Sequence, residues 1–123
     1  MKDVWELAKA NEAYIIDRRR YYHAHPEPSM QEVATTKAIA KDLEALGIEY
    51  KTFPDHTGVL GVIRGGKPGK GIMLRADIDA LPIQETNDVP YRSQTPGMMH
   101  AGGHDAHTTC GVFVARLLKA HAD

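Results

Sequence analysis

Cysteine is nearly missing from this 123-residue chain: Cys110 stands alone, so no intrachain disulfide can form. A charge excess is missing too. With 15 Lys and Arg against 16 Asp and Glu, the net charge is −1, which leaves no global field to recruit nucleic acid or an anionic membrane. No apolar stretch approaches the ~18 residues of a membrane-spanning helix, and Met1-Lys2-Asp3 does not begin a signal peptide. Internal repeats and low-complexity tracts are also lacking. These absences predict a cytoplasmic protein with no nucleic-acid or membrane partner. What is present, 42% apolar and 25% charged residues, is enough for one ordinary core.

Apolar residues at near-helical spacing from Asp3 to about His23 predict one amphipathic helix capped by Asp3, with Arg18, Arg19 and Arg20 on a solvated face. His25-Pro26 should end it, because the residue before proline is pushed out of the α region. Ser29-Met30-Gln31-Glu32 has capping-box spacing for a second helix, whose buried face would carry Val33, Thr36, Ile39, Ala40, Leu43 and Leu46 and whose end would fall at Gly47. Residues 48–53 alternate as a strand does. The apolar runs 58–63 and 71–75, separated by Gly65-Gly66-Lys67-Pro68-Gly69-Lys70, should pair as a hairpin. A long polar loop over 82–97 precedes a last helix, capped by Asp105 or Thr108, that buries Cys110, Phe113, Val114, Leu117 and Leu118; Cys110 would be an inert packed thiol. The class is α/β: an incomplete three-layer α/β/α domain with two N-terminal helices, about three strands and a C-terminal helix.

Chemistry concentrates in residues 74–109. Asp77 and Asp79 follow an apolar run directly, where an α/β sheet opens to its ligands. Two carboxylates on one face repel unless a cation or Arg75 compensates. They could therefore orient a metal ligand or move a proton; equally, Arg75 could pair with one while Asp79 caps the turn before Pro82. About 25 residues on, Gly102-Gly103 delivers His104, Asp105 and His107 to a helix start. Neutral imidazoles are the commonest metal ligands, and each needs its second nitrogen fixed, a role open to Asp77 or Asp105. A helix N-terminus also attracts Asp for dipole reasons alone. His23, His25, His56, His100 and His121 carry less signal, and surface or packing roles suit them better.

Read in order, Arg18-Arg19 with His23-Ala24-His25-Pro26-Glu27 and Glu32, then Leu74-Arg75-Ala76-Asp77-Ile78-Asp79-Ala80-Leu81-Pro82, then Gly97, Met99-His100-Ala101 and Gly103-His104-Asp105 with His107, resemble a known family. It is the metal-dependent aminoacylase and carboxypeptidase family, in the branch holding hippurate hydrolases, auxin-conjugate hydrolases and N-acetyldiaminopimelate deacetylases. The resemblance implies that residues 1–123 are the amino-terminal portion of a hydrolase of N-acyl amino acids, inactive alone, whose full-length form dimerises. Two divalent ions, zinc or manganese, would activate a bridging water while a later Glu shuttles the proton.

By motif position Asp77 carries over as the catalytic carboxylate and His104 as a metal ligand, with Asp105 and His107 behind them or lining the cleft. One departure matters: the branch has a metal-binding Cys after His100-Ala101, and here Gly102 stands in that place. Glycine has no ligand to offer. The alternative is a degenerate, non-catalytic relic or binding module of the same fold. A phosphatase-type aspartyl nucleophile at Asp77 fits poorly, because Ala80-Leu81-Pro82 follows where such a motif expects Thr or Val.

Overall fold

The computed structural model describes residues 3–123. Asp3 caps α1 (Val4–Ala10) as expected, its carboxylate accepting from the Trp5 N–H at 3.0 Å. The predicted single helix is broken, however, and α2 (Glu12–Ala24) begins after Asn11. The cause is local: Asn11 Nδ2 donates to the Leu7 carbonyl at 2.7 Å, competing with the backbone for an acceptor of the helical ladder. Before Pro26, α2 ends on cue.

Helix α3 (Val33–Ala45) starts later than the Ser29 capping box would put it. Met30 takes φ 66°, so the Ser29-Met30 pair turns and does not enter a helix. A more distant group does the capping: the Glu27 carboxylate accepts from the Ala34 N–H at 3.1 Å and from the Thr35 hydroxyl at 2.6 Å. Gly47, at φ 71°, closes α3 as the sequence predicts.

The hairpin differs from expectation. Strand β1 (Glu49–Thr52) pairs antiparallel with β2 (Val59–Val62), in the register Glu49 with Val62 and Thr52 with Val59. Residues 71–75 form no strand, and Ile72, Met73 and Leu74 are 89%, 78% and 67% exposed. Their continuation is drawn elsewhere. Ala76 lies so close to α4 (His104–Ala120) that a Cβ on Gly111 would come within 3.0 Å of it, and Gly66 N–H donates to the Ala122 carbonyl at 2.6 Å. A cavity of about 710 Å³, lined by Val59, Gly61 and Ile63 on one side and by Leu74, Ala76 and Ile78 on the other, separates the two runs.

The α/β class holds, with the core where α2, α3 and α4 meet the hairpin. Tyr22, Ile39, Leu43, Ile48 and Val112 are its buried centre, and large apolar side chains buried this way contribute ~1.5–3 kcal/mol each. Helix α4 corrects two expectations. Cys110 is exposed, because the buried stripe runs through Asp105, Thr108, Thr109, Val112 and Phe113, one residue out of phase with the predicted stripe, leaving Leu118 44% exposed. Its start has no side-chain cap; Gly103 at φ 84° supplies the turn, a conformation a side chain would strain, and Thr108 bonds back to the His104 carbonyl at 2.8 Å.

Candidate functional site

Two polar clusters flank the start of α4. In the first, Asp77 and Asp79 reach α4 from the segment lying along it. His104 Nδ1 sits 2.8 Å from Asp79 Oδ1 and 3.1 Å from the Asp79 carbonyl, while His104 Nε2 is 3.8 Å from Asp77 Oδ2. His107 Nδ1 lies 3.5 Å from the same Asp77 oxygen and accepts the Asp77 backbone N–H at 3.2 Å. The Thr108 hydroxyl, 2.9 Å from the Asp77 carbonyl, ties the segment down further. Arg75 pairs with Asp77 Oδ1, as the structural alternative had it. The hydrogen bond to Asp79 and the field of Asp79 and Asp77 raise the His104 pKa above the ordinary imidazole value.

The sequence-predicted residues Asp77, Asp79, His104 and His107 thus converge, but Asp105 does not join them. Its carboxylate points into the second cluster, 2.8 Å from His23 Nδ1 and 2.9 Å from Arg19 Nε. His23, 3% exposed, is held from its other side by Glu85, with Nε2 2.9 Å from Oε2. Burial raises the Glu85 pKa, and the bonds from His23, the Ser93 N–H and the Asn87 amide outweigh it, lowering the value to about 2.

From the sequence His23 has only a surface or packing role, and Glu85 carries no signal. A signal existed for one of them, since Arg19 and His23 are four apart and share a helix face. His100 is buried, with neither ring nitrogen bonded, and burial lowers its pKa. His25 is exposed and lies over Tyr21 with ring centroids 4.5 Å apart, a surface role as expected.

The described residues do not by themselves complete a metal centre. Among the described residues, no three His, Cys, Asp or Glu side chains are arranged to share an ion. At Gly102 there is no donor, although there is room for one: a Cβ there would meet only Leu81 Cδ1, at 3.5 Å. Structural zinc sites take four protein ligands and catalytic ones three.

Residues 73–123, which carry Asp77, His104, Asp105 and His107, match peptidase family M20/M25/M40. This chain belongs to that family. It is 49% identical over 112 residues to N-acetylcysteine deacetylase of Bacillus subtilis, covering 90% of this chain and 30% of the relative. Against thermostable carboxypeptidase 2 of Saccharolobus solfataricus the identity is 47% over 116 residues, covering 94% and 30%. The fold agrees with a B. subtilis M20 protein, YXEP, described as a dinuclear metal binding peptidase, at a TM-score of 0.88 and 47% identity over 93% of this chain and 32% of that one. The chain therefore spans about 30% of the length of these M20 relatives. No described helix is long and apolar enough to cross a membrane.

Proposed function

We propose that this chain is the amino-terminal portion, residues 1–123, of an M20-family amidohydrolase that cleaves the amide bond of N-acyl amino acids, and that alone it does not turn over. Supporting the reading is the meeting of Asp77 with His104, 3.8 Å apart at the start of α4, in a chain 49% identical to an enzyme named for N-deacetylation. Asp77 is the catalytic carboxylate of this portion, and the proton shuttle is a later Glu. Arg75 and the Asp77 backbone N–H, bonded to His107, hold Asp77 in place. His104 is the second site residue, oriented by Asp79.

The two divalent ions, zinc or manganese, and the homodimer belong to this reading for the full-length protein, as does the cytoplasm for its location. The test is hydrolysis of N-acetyl and N-benzoyl amino acids by the purified chain with zinc or manganese added. Negligible product is expected; metal-dependent turnover by this chain alone overturns the proposal. A non-catalytic relic is favoured by one observation, the missing donor at Gly102.

A further inference from the structure

On the other flank of α4, the second cluster borders a cavity of about 480 Å³, within the ~300–1,000 Å³ typical of small-molecule sites. His100 lines it and is 4% exposed, yet neither of its ring nitrogens has a partner among the described residues. An imidazole carries an N–H in either protonation state, and a buried donor left unbonded is costly. The acceptors around it are already occupied. Glu85 is bonded to His23, Asn87 and the Ser93 N–H, while Asp105 is bonded to His23 and the Ala106 N–H and paired with Arg19. What remains is a set of donors and positive charge. Arg19 meets Asp105 through Nε at 2.9 Å, and its Nη groups donate to none of the described residues. Gly103 opens α4 with no side-chain cap, and the Arg20 guanidinium lies 4.6 Å from the ring centroid of Tyr91 on the cavity wall.

We propose that this cavity binds a small organic carboxylate, with its oxygens on His100, Arg19 and the uncapped start of α4 and its apolar part against Val89 and Met99. A guanidinium offers the planar, paired donors that a carboxylate matches. Glu85 and Asp105 oppose an anion, and Arg19, Arg20 and the positive end of the α4 dipole offset them. A neutral ligand of the same shape leaves Arg19 unmatched, so charge decides the binding. The site is separate from Asp77 and His104 and does not depend on the amidohydrolase reading.

Titration of the whole chain with benzoate, and with benzamide as its uncharged counterpart, followed through the imidazole signals in NMR, tests this. Benzoate is expected to move the His100 signals saturably and to leave those of His104 in place, and benzamide to move neither. Arg19→Gln, folded by circular dichroism, is expected to weaken benzoate binding about tenfold or more, the loss of one charge-assisted hydrogen bond. No saturable shift at His100, an equal response to benzamide, or a response centred on His104 overturns the site; so does full affinity in the folded Arg19→Gln chain. Should Arg19→Gln not fold, Val89→Trp fills the cavity from a half-buried position on its wall and is expected to abolish the shift, whose persistence overturns the site. Turnover is not read, so failure here leaves the amidohydrolase reading standing.

Discussion

Glu85 is the residue whose removal should be felt most. Its carboxylate is 2% exposed and takes hydrogen bonds from His23, Ser93 and Asn87, so Glu85→Gln weakens three partners at once. A loss on the order of 1–3 kcal/mol is expected in urea unfolding at pH 7. Because the folded-state pKa lies near 2, below the ordinary carboxylate value of 4.5, the contribution is complete above about pH 4.5 and fades as the pH falls toward 2. In the Glu85→Gln chain that segment of the pH–stability curve should flatten, and an unchanged slope would refute the assignment.

His104 has the opposite sign. Its pKa is raised on folding, so its contribution is present below about pH 6.5 and disappears as the pH rises through the folded value. Asp79→Asn should lower that value, read from the imidazole proton shifts in an NMR titration, while a value that stays put would show that the Asp79 bond does not govern it. Asp77, His104 and His107 stood out in the sequence because acidic and imidazole side chains concentrate in residues 74–109. Glu85 did not. It comes from a loop without periodicity, and only the tertiary fold brings it to His23.

At the scale of elements, the helical segments and the ends of α2 and α3 were legible, and the starts of α2, α3 and α4 were not. The apolar spacing of α3 holds in its middle, with Thr36, Ile39, Ala40 and Leu43 buried as predicted because packing rewards one face, whereas Val33 at its start is 55% exposed and Leu46 is half-buried. The cap lies elsewhere because a carboxylate six residues before the helix can reach its first N–H groups as well as an adjacent Ser can. Glu27→Gln should therefore cost about 0.5–2 kcal/mol, while Ser29→Ala should change stability by less than about 0.5 kcal/mol; equal losses in chemical denaturation would return the cap to Ser29. The hairpin partner differs from the predicted one for another reason. Runs 48–53, 58–63 and 71–75 all carry strand-like patterns, and what separates them is the contact of Ala76 with Gly111, which no local signal contains.

For the whole molecule, the open side is the cavity between β2 and residues 74–78, bordered by exposed Ile72, Met73 and Leu74. An exposed apolar run beside an unpaired strand edge invites association. The chain should self-associate with rising concentration, and Met73→Lys should shift light scattering toward the monomer; scattering independent of both would count against this.

Glu27 makes one further link across the molecule. Its side chain holds the start of α3, and its backbone carbonyl accepts the Ala80 N–H at 2.8 Å, next to the Asp79 that grips His104. Helix fraying and imidazole protonation are then two ends of one thermodynamic cycle, and reciprocity applies. Whatever the intact cap adds to the proton affinity of His104, a proton on His104 must add, in equal measure, to the strength of the cap.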